Sequence, residues 1–258
     1  MTCAFSSFMP DSKRIRLYYE GDDDRNVLEQ MKGGGLLAGN VEVAKRRKDC
    51  PGREGMVQDL APFVGIGGRA VALTDLDGNI IESLTKWFQN TLQAALAKEE
   101  PPGTINAQER ISDRISTFAC TSDQHTGHVA LIAVGLPEDE EIKSSQIDRF
   151  AIDDYLLRLA RDPQIYESNP DLCSVPYAGC MKKLMEMVQL LRQNDIPIRN
   201  SKRYLHFLRA ITNFRPSSAE FAGRLVGKAI DSTGQGRLRE LFSPLLEDLQ
   251  IAIKQLSS

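Results

Sequence analysis

Two short stretches of the chain carry carboxylates at a spacing suited to binding a cation. The first, EGDDD at 20–24, places four acids within five residues, directly after an apolar and aromatic run. The second, DLD at 75–77, places two acids two residues apart. Neighbouring carboxylates repel one another, so water, a helix N-terminus or a bound cation must offset their charge. Carboxylate oxygens are also the ligands that Mg²⁺ and Mn²⁺ prefer in proteins.

Both acidic stretches follow short apolar runs that are typical of buried strands. The runs are 15–19 and 69–74, and a third covers 127–135. Helical spacing follows the first run, and a glycine triplet at 33–35 is expected to end that helix. Strands that alternate with helices predict an α/β core with a mainly parallel sheet flanked by helices, here over 14–137. The remainder, 138–258, has mostly helical patterns and is expected to pack on this core.

The rest of the core gives weaker local signals. The pattern predicts a second strand at 41–44, a loop at 49–55 and a helix with one apolar face at 84–96. After the Pro-Pro-Gly stop at 101–103, the pattern predicts a short helix at 108–118.

The carboxyl edge of a parallel sheet is where ligands bind in such folds. Asp75 and Asp77 share a face as long as the backbone stays extended, and Glu20 ends another strand at the same edge. Asp24 follows one helical turn after Glu20 and points the same way if the helix begins early. Asp22 and Asp23 are expected to be solvated acids at the helix N-terminus. The sequence therefore predicts a Mg²⁺ or Mn²⁺ site held by Glu20, Asp75 and Asp77, with Asp24 next.

Composition limits the classes of partner. The chain has 258 residues, a net charge of -3 and a pI of about 5.7, so it has no overall basic field to attract nucleic acid. Local basic clusters remain at 45–48 and at Arg199, Lys202, Arg203 and Arg209. The longest apolar run, 129–134, is too short to cross a bilayer. Five cysteines without a CxxC pair are not typical of a disulfide framework, which favours a cytoplasmic location without membrane association.

The two acidic stretches together resemble the Toprim pattern. In that family Glu-Gly follows the first strand and DxD follows a later one, as YYEGDDDRNVLEQM and AVALTDLDG do here. The stretch GHVALIAVGLPED, followed by FAIDDYLLRLA, is similar to a group of small prokaryotic Toprim-like proteins. The resemblance covers about residues 14 to 160. The family includes OLD-type nucleases and a bacterial ribosomal-RNA maturase, and its OLD-like members carry an acid pair spaced like Glu20 and Asp24.

The resemblance implies a hydrolase of the nuclease type. It implies Mg²⁺-dependent phosphodiester chemistry on DNA or RNA, with the DxD holding the metal and the glutamate acting as general acid or base or as a further ligand. It adds Asp153 and Asp154 to the ligands, and Lys202 as the cation near the scissile phosphate. Catalysis would then involve Glu20, Asp24 and Lys202. Whether the protein forms a homodimer is left open.

Two other functions are compatible with the same residues. The segment LTDLDGNII is similar to the first motif of haloacid-dehalogenase-type phosphatases, in which Asp75 would be the nucleophile and Asp77 the acid/base. Asn79 stands where that motif usually has threonine, and the order of the later acids and lysines is wrong for it. Alternatively, the protein is a non-catalytic metal-binding or interaction protein, because a fold does not fix a function.

Overall fold

A mixed β-sheet of six strands lies at the centre of the fold, in a computed structural model that describes residues 14–45, 52–168, 176–212 and 218–257. The strands are β1 (Ile15–Tyr18), β2 (Val41–Val43), β3 (Arg69–Asp75), β4 (Gly103–Arg110), β5 (Ile115–Ser122) and β6 (His125–Val134). Their order is β2-β1-β3-β6-β5-β4. Strands β2, β1, β3 and β6 are mutually parallel. β5 pairs antiparallel with β6, and β4 pairs antiparallel with β5 at the edge of the sheet. The prediction of an α/β fold with a mostly parallel sheet is confirmed.

Helices cover both faces of the sheet and make up most of the second half of the chain. They are α1 (Asp22–Gly33), α2 (Gly52–Gly65), α3 (Ile81–Leu96), α4 (Glu140–Ser144), α5 (Asp153–Ala160), α6 (Pro163–Ser168), α7 (Tyr177–Gln193), α8 (Ser201–Ile211), α9 (Ser218–Leu241) and α10 (Ser243–Ser257). The predicted helical C-terminal half is therefore present.

The strands bury both faces because alternate side chains enter two separate apolar layers. In β3, Val71 and Leu73 join a cluster with α1, α5, α9 and α10, whereas Ala70 and Ala72 join a cluster with α2 and α3. This period of two is the expected geometry of a strand. Because the first cluster contains side chains from both halves of the chain, the helical region packs directly on the sheet.

Two local predictions are wrong. The segment 108–118 is not a helix: it spans the end of β4, a turn and the start of β5, which pair as an antiparallel hairpin. β4 is an edge strand of the sheet and is largely exposed, and residues 108–110 at its end are all polar. The predicted loop at 49–55 is helical from Gly52 onward, where α2 begins; residues 49–51 lie outside the described part of the chain.

The two cysteines in the described ranges differ in their redox state. Cys120 is a buried free thiol, and Cys180 is disulfide-bonded, which the cysteine pattern did not predict. In the described residues, no helix combines the length and the apolar character that crossing a membrane requires.

Candidate functional site at the carboxyl edge of the sheet

The carboxylate of Asp75 lies at the centre of an acidic cluster where β3 ends. Its pKa is raised well above its ordinary value because burial penalises the charged form and because four other carboxylates lie close enough to repel it. These are Asp24, Glu20, Asp153 and Asp77. We call these five residues the acidic cluster. It collects side chains from segments that are far apart in the sequence, as expected for strand ends that share one edge.

Glu20 is tied to the end of the neighbouring strand. Because β1 and β3 are adjacent and parallel, Glu20 lies beside Asp75, and its Oε1 accepts a hydrogen bond of 3.0 Å from the Asp75 backbone N–H. The same oxygen accepts a 3.0 Å hydrogen bond from Nε of Arg53. Burial raises the pKa of Glu20, and the positive charge of Arg53 opposes that rise. Glu20 therefore turns toward the DxD loop, as the sequence predicted.

Asp77 does not share a strand face with Asp75. β3 ends at Asp75, and the backbone reverses through positive φ angles of 47° at Asp77 and 77° at Gly78. The expectation of an extended backbone through this motif is therefore wrong. Aspartate tolerates the left-handed region, and glycine adopts it freely. The side chain of Asp77 is 49% exposed, and its Oδ2 lies 3.3 Å from Nη2 of Arg53.

Asp24 is a buried helix-capping residue that also adds a negative charge to the acidic cluster. α1 begins at Asp22, and Oδ2 of Asp24 accepts hydrogen bonds from the backbone N–H groups of Gly21 at 2.9 Å and Glu20 at 3.2 Å. These bonds satisfy the N–H groups of the glycine N-cap and of the residue before it. Burial raises the pKa of Asp24 to about 6, although the Gly21 hydrogen bond opposes the rise. Asp24 therefore fixes the orientation of Glu20 and adds negative charge beside Asp75.

The two acids that open α5 have different surroundings. Asp154 is fully buried, and its carboxylate accepts hydrogen bonds from Leu136 N–H at 2.9 Å, Ala151 N–H at 3.2 Å and Ser201 Oγ at 2.5 Å. With both oxygens used in this way, Asp154 joins the end of β6 to the starts of α5 and α8. We therefore remove Asp154 from the expected metal ligands and assign it a positioning role.

Asp153 belongs to the acidic cluster. It is partly exposed, whereas the neighbouring Asp154 is fully buried. Burial raises its pKa to about 7, and the positive charge of Lys202 only partly opposes that rise. Its charge is therefore poorly compensated in the absence of a bound cation.

Lys202 reaches the cluster from the first turn of α8. Its Nζ lies 2.5 Å from Oδ2 of Asp23, so Asp23 is an ion-pair partner and not merely a solvated acid. Burial lowers the pKa of Lys202. The hydrogen bond to Asp23 and the charge of Asp153 have a larger effect in the opposite direction, so the pKa lies above its ordinary value. The lysine expected near the scissile phosphate is thus beside the acids, but it is already paired.

Arg53 is the residue of this site that sequence reasoning missed. It lies in the first turn of α2, and its guanidinium contacts Glu20, Asp77 and the carbonyl oxygen of Asp75, the last at 2.7 Å. No motif marks it, and it fell within the predicted loop. One signal was available: β2 is parallel to β1, so the helix that follows β2 must begin near the same sheet edge.

The cluster fits a divalent cation in its chemistry but is not preassembled as a coordination site. Its donors are carboxylate oxygens at the edge where ligands bind, and their raised pKa values indicate negative charge without enough compensation. In the described ranges, however, no three His, Cys, Asp or Glu side chains converge closely enough to hold a metal ion. Binding would therefore require side chains to move, beginning with those that Arg53 holds.

Comparison with known proteins gives no further guide to function. No protein-family model matches the chain, and no curated protein or solved structure matches it either. Any statement about function must therefore be supported by the geometry of this site.

Proposed function

We propose that the protein is a divalent-metal-dependent phosphodiesterase that acts on nucleic acid through the acidic cluster. The observation that carries the proposal is that the partly buried Asp75 has four further carboxylates close enough to repel it, at the carboxyl ends of parallel strands. The Toprim resemblance agrees with this arrangement, since its Glu-Gly and DxD elements fall at the ends of the adjacent strands β1 and β3.

The residues divide into ligands and supporting groups. We assign Asp75, Asp153 and Glu20 as the metal ligands, with Asp77 joining when Arg53 releases it. A bound Mg²⁺ or Mn²⁺ would supply charge stabilisation for the phosphoryl oxygens and a water of lowered pKa.

Glu20 is also the candidate proton acceptor, because burial raises its pKa and so makes its carboxylate a stronger base. Lys202, at 2.5 Å from Asp23, is the candidate contact for a phosphate oxygen once substrate competes for it. Asp24 and Asp154 hold the backbone of the site in place through their hydrogen bonds to main-chain N–H groups.

Nucleic acid as the substrate has limited electrostatic support. The predicted basic cluster at 45–48 extends beyond the described residues after Lys45. In the other cluster, Arg199 is paired with Asp148 at 2.9 Å, and Arg203 donates to the carbonyl oxygen of Pro197. Binding through these residues would be weak and sensitive to salt, because few phosphates would be neutralised.

The test is metal-dependent cleavage of labelled single-stranded DNA, double-stranded DNA and RNA, with Mg²⁺, Mn²⁺ or a chelator. Cleavage by the wild type that is lost in Asp75→Asn supports the proposal. Asp123→Asn, which neutralises an exposed loop carboxylate, is the matched control and should remain active. Equal cleavage by Asp75→Asn would indicate a contaminating nuclease, and no cleavage of any substrate would contradict the proposal.

Arg53 favours a second candidate, a non-catalytic cation-binding or interaction protein. Its contacts already offset part of the acidic charge, as a purely structural site would. Metal binding without turnover of DNA, RNA or nucleotides would support that function. The phosphatase alternative makes a different prediction, namely covalent phosphorylation of Asp75 by a small phosphate donor such as acetyl phosphate.

A further inference from the structure

Arg53 occupies the acidic cluster as a cation supplied by the protein itself. Its Nε lies 3.0 Å from Glu20 Oε1, and its Nη2 lies 2.7 Å from the Asp75 carbonyl oxygen and 3.3 Å from Asp77 Oδ2. One guanidinium therefore bridges the two acidic stretches, which belong to adjacent strands. A planar fork of donors suits such a bridge better than a lysine would.

An aromatic ring holds the guanidinium from a further direction. The Cζ atom of Arg53 lies 5.3 Å from the ring centroid of Trp87 in α3, within the range of a cation–π contact. Only 22% of the Arg53 side chain is exposed. Trp87 is the single tryptophan of the chain, so its fluorescence reports on this contact without interference from another indole.

We propose that Arg53 is an internal counter-ion that a divalent cation must displace to bind the acidic cluster. The inference rests on the proposed function only in assuming that the cluster binds metal. A metal ion held by Glu20 and Asp77 would bring like charges together if the guanidinium stayed between them. Arg53 therefore stabilises the metal-free acids and weakens metal binding, and it loses its contact with Trp87 when metal arrives.

The first test measures Mg²⁺ affinity by calorimetry at pH 8 in the wild type, Arg53→Ala and Arg110→Ala. Removal of the competing cation should tighten binding by about tenfold, because a charged hydrogen-bonded partner contributes about 1.4 kcal/mol or more. Arg110→Ala removes the same charge from an exposed pair with Glu82 and Asp113 at another edge of the sheet. Its Mg²⁺ affinity should stay within about threefold of the wild type, because surface charges are screened.

The second test follows Trp87 fluorescence with Mg²⁺, which is not a paramagnetic quencher. Saturating Mg²⁺ should shift the wild-type emission toward the spectrum of metal-free Arg53→Ala. Arg53→Ala itself should show no such change, although calorimetry detects Mg²⁺ binding. Circular dichroism confirms that each variant keeps its fold.

The outcomes separate this inference from the proposed function. Wild-type binding with unchanged Trp87 emission, or equal Mg²⁺ affinity in Arg53→Ala, overturns the counter-ion role and leaves the metal site intact. Binding by Arg53→Ala but not by the wild type supports the role in its strongest form. If neither protein binds Mg²⁺, both the inference and the proposed function are overturned.

Discussion

Replacement of Asp153 by asparagine is expected to stabilise the metal-free protein at pH 8. Burial places the pKa of Asp153 at about 7 in the folded state, against an ordinary value of 3.8. At 1.36 kcal/mol per pKa unit, ionisation of this carboxylate at pH 8 costs the folded state about 4 kcal/mol relative to the unfolded chain. Asparagine has nearly the same shape and carries no charge. Because Asp153 is partly exposed, so that water screens its charge, and because the amide must also be accommodated, we expect a smaller gain of about 1 to 3 kcal/mol in the free energy of unfolding.

The sign of this effect depends on pH. A carboxyl group whose pKa is raised on folding binds its proton more tightly in the folded state, so stability falls as pH rises from about 4 through about 7. At pH 5, the same calculation leaves a cost of only about 1.7 kcal/mol, because Asp153 is then mostly protonated in the folded protein. The advantage of Asp153→Asn should therefore shrink steadily on acidification.

Urea denaturation of both proteins from pH 5 to pH 8, in the presence of a chelator, measures this difference. Asp123→Asn makes the same chemical change at an exposed position with a φ of 53°, which asparagine also tolerates, and should shift stability by about 0.5 kcal/mol or less. Added Mg²⁺ should make the wild type the more stable of the two proteins. A ligand stabilises the folded state only of a protein that binds it, and Asp153→Asn lacks one proposed metal ligand. An Asp153→Asn protein no more stable than the wild type at pH 8, or a difference independent of pH, would refute the electrostatic reasoning.

Three further substitutions test the supporting groups. Asp154→Ala should lower the free energy of unfolding by about 3 kcal/mol in urea denaturation, because it leaves buried donors from Leu136, Ala151 and Ser201 without their acceptor. A loss below about 1 kcal/mol would count against the positioning role. Gly78→Ala should lower the free energy of unfolding by about 1 to 3 kcal/mol in the same assay, because the φ of Gly78 is 77° and an added Cβ would lie 2.9 Å from the carbonyl oxygen of Asp148. An unchanged urea midpoint would contradict this. Lys202→Met should slow cleavage by about tenfold or more without weakening Mn²⁺ binding, and wild-type cleavage rates would remove Lys202 from the proposed mechanism.

The strands that carry the site were predictable because their sequences are locally unambiguous. Residues 15–18 and 69–75 are short, largely apolar runs with an acid at their end or shortly after it, and each is followed by helical spacing. Period-two burial in β3 follows from its position between two helical layers. The convergence of Glu20 on Asp75 then follows from two parallel strands being adjacent.

The parts that could not be predicted depend on contacts between distant residues. Arg53 bridges to positions 33 and 24 residues away, and no local pattern encodes such a pairing. The different roles of Asp153 and Asp154 arise because Ser201, 47 residues beyond Asp154, contacts only the second acid. The hairpin of β4 and β5 was missed because its exposed edge lacks the apolar run that marks a buried strand.

The most direct test of the account is a calorimetric Mn²⁺ titration of the wild type and of the Asp75→Asn/Asp77→Asn double variant at pH 8. A double variant that neutralises the exposed acids Asp113 and Asp123 controls for the change in net charge. The account predicts saturable binding to the wild type and the control, and none to the protein altered at the DxD loop. Equal binding to all three proteins, or no binding to the wild type, would contradict the assignment of a metal site at this edge of the sheet.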